Sequence, residues 1–203
     1  PTTIPLLFVP MLPGLQFLCA SSSHPLCVVF FFPFFLFLFF FSFSADMIQA
    51  MDDEMQLIVA AVKARHPGWD TANLCRPLVQ CLVFHYAELI GDPTNIFTIL
   101  RTNKGYAKHH ITYKKVGEGL VVPDVKHKFF TTDLPFGLVI YKDIAIELGV
   151  ATPVIDELIR WNQKMVSKEF MLADGTLAGK NVGEAVLPSK FGGIAAAVAA
   201  ATQ

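Results

Sequence analysis

Beyond residue 51, apolar positions recur at helical spacing along most of the chain. Met55, Ile58, Val59 and Val62 fall on one face of a helix that opens at Asp52, Asp53 and Glu54, runs to about Ala64 and is stopped by His66-Pro67-Gly68. With acids at its start and one apolar stripe, this reads as an amphipathic surface helix. A second helix starts from a cap at Asn73, has Pro77 in its early turns, and turns Leu74, Leu78, Cys81, Leu82 and Leu89 inward before Gly91-Asp92-Pro93. A third, shorter one carries Ile96, Phe97 and Leu100 and stops at Gly105. Between Ile111 and Val122 the pattern turns extended, with Gly117-Glu118-Gly119 as the reversal.

The clearest pattern lies between Phe129 and Lys168. Asp133 stands just ahead of Pro135, and proline suits a first helical turn because its missing N–H has no partner to lose there. Leu138, Val139, Ile144, Ala145 and Leu148 follow on neighbouring turns, and Gly149 supplies the left-handed residue that ends such a helix. Thr152-Pro153 opens the next, with Ile155, Leu158, Ile159 and Val166 on one face. Asp156 and Glu157 lie near its start, and Lys164 and Lys168 near its end, complementing the helix dipole. Asp174-Gly175 is expected to be a tight turn between Phe170-Met171-Leu172 and Thr176-Leu177. The alanine-rich tail from Gly192 has little to bury and is expected to fray. The fold class is therefore mainly α, with one or two short hairpins.

Charge divides the chain. The 203 residues carry a formal net charge of -1, yet residues 1 to 45 contain no Asp, Glu, Lys or Arg. Residues 28 to 45 form an apolar run long enough to suggest a membrane segment, but no basic residue flanks it, as a signal peptide or oriented span requires. From Phe30 to Ser44 only Phe, Leu, Pro and Ser occur, the residues that pyrimidine-only codons encode. Residues 1–46 are therefore expected to be a mistranslated polypyrimidine leader, with a membrane anchor as the alternative. The expected organisation continues with a helical domain over 47–190 and a tail over 191–203. The absence of a basic excess leaves nucleic acid without an electrostatic footprint. Cys19, Cys27, Cys75 and Cys81 have no zinc spacing and read as free thiols of a reducing, cytoplasmic setting.

The run TTDLPFGLVIYKDIAIELGVATPVIDELIRWNQKM resembles the C-terminal, mostly helical substrate domain of the octopine/nopaline-type opine dehydrogenases. In that family an acidic residue, a D-x-P-x-G-L helix start and a G-V-x-T-P-x-I-D turn recur in this order. Upstream, Thr102-Asn103-Lys104-Gly105-Tyr106 resembles the family's T-N-x-x-Y segment, and Val122-Pro123-Asp124-Val125-Lys126 its V-P-D-x-K approach; together the matches run from about Met51 to about Gly183. The resemblance implies an oxidoreductase acting on CH–NH bonds, in which a 2-oxo acid and an amino acid condense and NAD or NADP supplies the reductant. The cofactor would be bound by a domain missing from this chain, since no G-x-G-x-x-G is present. Gly175 to Asn181 looks like a phosphate loop, but its spacing is one residue short and Asn181 replaces the magnesium-binding hydroxyl. The competing reading is a truncated, non-enzymatic product or a helical interaction module.

By the same resemblance, Asp133 matches the acid that orients the family's catalytic histidine, although from the residues alone a plain helix cap is the better reading. Lys128 stands where the family commonly places a carboxylate-holding arginine; it keeps the charge and loses the bidentate fork. Lys126 or Arg101 could share that task. Asn103 and Tyr106 could line the substrate cleft or merely end a helix. The dyad histidine itself is not identified: His24-Pro25 has the family's dipeptide but not its spacing. His109, His110 and His127 read as loop residues without metal partners, His85 as a core or cleft residue, and Trp161 and Phe136 as packing residues.

Overall fold

The computed structural model describes residues 41–69, 76–107, 113–117 and 120–201. The leader before residue 41, Asn73, Leu74, Cys75, His109 and His110 lie outside the described residues. Along the chain come α1 (Phe41–Arg65), α2 (Leu78–Tyr86), α3 (Ile96–Thr102), the strands β1 (Tyr113–Gly117) and β2 (Leu120–Pro123), α4 (Lys128–Thr131), α5 (Val139–Leu148), α6 (Pro153–Met165) and α7 (Ile194–Ala201). The strands form one antiparallel pair, Tyr113 opposite Pro123, with an irregularity between Lys115 and Gly117. The fold is mainly helical, as the pattern predicts.

Helix α1 is the shared element rather than a surface helix. It packs against α3, α5 and α6 and contributes to two apolar clusters. Ala45 and Ile48 join Cys81, Leu82, Ile96, Ile99 and Tyr106. Met51, Met55, Ile58 and Val62 join Leu138, Val139, Ala145, Ile155, Ile159 and Phe170. Several of these side chains are fully shielded, and each contributes about 1.5–3 kcal/mol relative to exposure. The helix also begins at Phe41, ahead of the expected start at Asp52, and runs through position 46 without a break.

That change of register alters what its acids do. Asp52 and Glu54 are not solvated first-turn residues; both are buried. Asp52 accepts a hydrogen bond from the Leu78 N–H at 2.9 Å, and Glu54 accepts from Val154 and Ile155 at 2.7 and 2.9 Å. One helix thus supplies the acceptors for the first turns of α2 and α6, where N–H groups have no intrahelical partner. Burial raises the pKa of both carboxyls despite these bonds. The same device recurs on α5. Asp143 accepts from the Ser189 N–H at 2.8 Å, and Glu147 from the Ile194 N–H at 2.9 Å. Glu147 anchors the alanine-rich tail, which forms α7 where fraying was expected.

Other boundaries move for local reasons. Pro77 is not inside α2: its extended backbone (φ -49°, ψ 134°) makes it the residue before the helix. Leu89 follows in a short 3-10 turn and is 41% exposed rather than inward. Helix α3 opens with a capping box between Asn95 and Thr98 and ends at Thr102, so Gly105 belongs to the next turn rather than to the helix end. Gly149 ends α5 at φ 70°, as its position predicts. The Asp174-Gly175 turn is present, closed by Leu172 N–H to Thr176 O at 2.9 Å, but no strand flanks it. Nearby, Gly179 and Asn181 donate to Phe170 and Glu169 carbonyls. A Cβ at Gly179 would lie 2.3 Å from the Glu169 oxygen, so only glycine permits that approach.

Candidate active site

Asp133 sits where two helical segments meet out of line. Buried Phe129 and Phe130 anchor α4 beneath it. After Asp133 the chain makes a π-helical turn over Leu134–Leu138, in which the Leu138 N–H reaches back to the Asp133 carbonyl at 3.1 Å. Pro135 lacks an N–H to continue an ordinary ladder, and Phe136 takes up the mismatch with φ -102° and ψ 16°. Helix α5 follows directly. The expected helix start is therefore a widened turn, a feature frequent at functional sites.

The Asp133 side chain makes no capping bond to this turn. It is 7% exposed, and its Oδ2 is buried without a hydrogen-bond partner. Burial pushes the carboxyl up from 3.8 to about 7, while the positive charge of Lys128 opposes the rise. An uncompensated buried carboxyl costs free energy. Its contribution to folding is most favourable below the ordinary value, where the acid is neutral in both states. It declines as the pH rises to and through 7. A cap would show the opposite sign.

Lys128 opens α4, is exposed, and holds its ammonium 5.9 Å from the centre of the Phe129 ring. It is the cation whose field reaches Asp133. Lys126 is also exposed. The T-N-x-x-Y residues form a separate group. Asn103 is 3% exposed; its Oδ1 accepts from Gly105 N–H at 2.9 Å, while its Nδ2 is buried without a partner. Tyr106 is buried and meets the Tyr86 ring edge-on at 5.2 Å, and burial raises its pKa. It belongs to the cluster around Ile96 and Ile99, whereas Leu134 and Leu138 beside Asp133 belong to the other. Arg101 is exposed, with its guanidinium carbon 5.8 Å from the Phe97 ring centre. The structure thus couples Lys128 to Asp133 and holds Asn103 with Tyr106 against α3.

Phe136 requires a correction. Trp161 packs as expected, partly buried and 6.4 Å from the Phe130 ring, but Phe136 is 44% exposed. The signal for it was Pro135 and Gly137 on either side, which break helical periodicity at that position. His85 lies beside Phe84, and its pKa is lowered by burial and by Arg76. His127 caps the start of α4, its Nδ1 accepting from Phe129 N–H at 3.4 Å.

A dinucleotide pyrophosphate needs free N–H groups at a helix start. Among the described residues an acceptor from within the chain already takes an N–H at the starts of α2 (Asp52), α3 (Asn95), α4 (His127), α6 (Glu54) and α7 (Glu147). Helix α5 continues out of the π-helical turn. None of these starts is an open cradle for the pyrophosphate of NAD or NADP. They contain no group of three or more His, Cys, Asp or Glu side chains able to hold a metal, and no helix long and apolar enough to cross a membrane.

Residues 34–166 match the family model described as NAD/NADP octopine/nopaline dehydrogenase, alpha-helical domain. The chain is 35% identical to octopine dehydrogenase of Pecten maximus over 73% of its own length and 37% of that protein. It is 30% identical to tauropine dehydrogenase of Arabella iricolor, again over 73% of itself and 37% of the relative. A solved octopine dehydrogenase with NADH and L-arginine superimposes with a TM-score of 0.73 at 30% identity, covering 90% of this chain and 44% of that one. A second, in complex with NADH and agmatine, gives a TM-score of 0.71 at 33% identity over 77% of this chain and 39% of that one. The chain thus spans well under half of the relatives it matches, and it is the helical part that corresponds. With its helical order and its D-x-P-x-G-L turn in place, the chain belongs to the octopine/nopaline dehydrogenase family, as its alpha-helical domain.

Proposed function

We propose that this chain is the substrate-binding part of a cytoplasmic opine dehydrogenase that condenses a 2-oxo acid with an amino acid and reduces the resulting imine. The observation that carries the reading is Asp133: buried, uncapped and with an oxygen left without a partner. A carboxylate in that state is suited to receive a charged hydrogen-bond donor. The donor proposed is the ring N–H of a histidine supplied from outside this chain. Asp133 fixes that ring's tautomer and stabilises its protonated form during proton transfer. Lys128, exposed and electrostatically linked to Asp133, holds a substrate carboxylate. Arg101, Asn103 and Tyr106 are proposed as further substrate contacts, with Asn103 offering its unpartnered amide donor.

NADH oxidation by the complete enzyme, with pyruvate and a panel of amino acids, tests this reading. Lys128→Ala is expected to raise KM for a carboxylate-bearing substrate about tenfold or more with kcat little changed, because it removes binding shared by ground and transition states. An unchanged KM would remove Lys128 from the site. Absence of amino-acid-dependent NADH oxidation in the unsubstituted enzyme would overturn the assignment as a whole.

A further inference from the structure

Resting on that proposed function, we infer that His127 is a positioning residue that holds Lys128 at the site while its ring is neutral and releases it when the ring is protonated. Lys128 is the first residue of α4, and His127 is the residue before it. The His127 ring reaches past Lys128 to accept from the Phe129 N–H at 3.4 Å, and it meets the Phe129 ring edge-on at 4.2 Å. Phe129 is buried, and the Lys128 ammonium lies over the same ring, 5.9 Å from its centre. The backbone of Lys128 is thus pinned between a cap and a buried anchor. Only a neutral imidazole can accept at Nδ1; protonation turns that nitrogen into a donor facing a donor. The protonated ring has another partner in Asp124, in the turn after β2. Asp124 is held below the ordinary carboxylate range chiefly by Lys114 and, as a smaller contribution, by His127. Lys114 of β1 pairs with Asp124 at 2.9 Å, and Lys126 and Lys128 flank His127 in sequence. Of the charged groups on this strand and turn, the three lysines repel an imidazolium and Asp124 attracts it, away from the Phe129 N–H. The His127 carbonyl still accepts from the Phe130 N–H at 2.9 Å, so α4 persists and what loosens is its first residue, Lys128.

NMR of this chain through the pH range in which histidine ordinarily changes charge, following the His127 ring and the Phe129 amide together, tests the cap. The amide is expected to shift with the same midpoint as the ring. In His127→Asn, whose side chain caps without titrating, that shift should vanish. Steady-state NADH oxidation by the complete enzyme tests the positioning, read as KM for the substrate whose binding Lys128→Ala weakens. Between pH 8 and pH 6 that KM is expected to rise by about threefold to fivefold more in the parent than in His127→Asn, the size of one cap bond, with kcat altered equally in both. His127→Ala should show the raised KM at both pH values. Asp133 and the catalytic histidine also respond to pH, but every variant retains both, so the comparison between variants isolates His127. A Phe129 amide that ignores the His127 midpoint, or the same KM profile in the parent and His127→Asn, would overturn the inference and leave the proposed function standing. So would kcat falling in His127→Ala with KM unchanged, the mark of a merely structural role, or a Lys128→Ala enzyme whose KM does not change. An unsubstituted enzyme without amino-acid-dependent turnover removes the proposed function and this inference together.

Discussion

Asp133→Asn is expected to lower kcat/KM of the complete enzyme by about 10²-fold or more and, at the same time, to stabilise the fold at pH 8. The two effects share one cause. An acid shielded to 7% exposure, without a cap bond and with Oδ2 unpaired, is tuned for a partner that the described residues do not provide. With its carboxyl pushed up to about 7, ionisation in place weakens folding as the pH rises. The isosteric amide removes that charge, so the stability of the variant relative to the parent should increase between pH 4 and pH 8, by on the order of 4 kcal/mol. The amide cannot orient an imidazolium as a carboxylate does, so turnover falls. A helix cap behaves otherwise. Asn caps a helix about as well as Asp, so in a cap the substitution would leave stability nearly unchanged with activity intact. Steady-state kinetics beside melts at the two pH values distinguishes the cases, and near-normal kcat/KM with a melting point unchanged relative to the parent at both pH values would show Asp133 to be a cap.

The second large effect is structural. Glu54→Ala is expected to destabilise the fold by about 2–4 kcal/mol, roughly 4–16 °C in Tm for a chain of this size. Two short bonds to the N–H groups of Val154 and Ile155 disappear, and Ile155 is fully buried, so water cannot replace the acceptor there. Burial raises the Glu54 pKa, so deletion also relieves a desolvation cost. The lost bonds outweigh that relief because two donors are left without an acceptor at a buried helix start. Asp53→Ala is the control: Asp53 is exposed, its bond to Gln49 at 2.9 Å is a surface contact, and its removal should stay within about 0.5 kcal/mol. Equal effects from the two substitutions in thermal melts would show that Glu54 does not hold α6.

The helices around Asp133 and Gly149 were legible because their signals are local. Proline at the start of α6, left-handed Gly149 after α5 and the period of Ile155, Leu158 and Ile159 all lie within the elements they describe. Helix α1 was misread because its acids serve distant elements. The partners of Asp52 and Glu54 lie 26 and about 100 residues away in sequence, so a first-turn role was the only one their own neighbourhood suggested. The tail was misread for the same reason, since Glu147, which caps α7, is 47 residues from Ile194. At the candidate site, the sequence marked Asp133 and Lys128 through motif order. It could not show that Asp133 is uncapped, because Pro135 reads as a first-turn proline whether the turn is α or π. Phe136 was read as packing although Pro135 and Gly137 on either side break the helical period there, and the widened turn leaves it exposed.

Ionisation of the Asp133 carboxyl, followed by its 13C chemical shift through a pH titration of this chain alone and of the complete enzyme, bears most directly on the proposed dyad. A buried and unpaired carboxyl should titrate near pH 7 in the chain alone and well below that in the complete enzyme, where a protonated histidine favours the charged form. A midpoint near 4 in the chain alone, or the same midpoint in both proteins, would contradict an acid held open for a catalytic histidine.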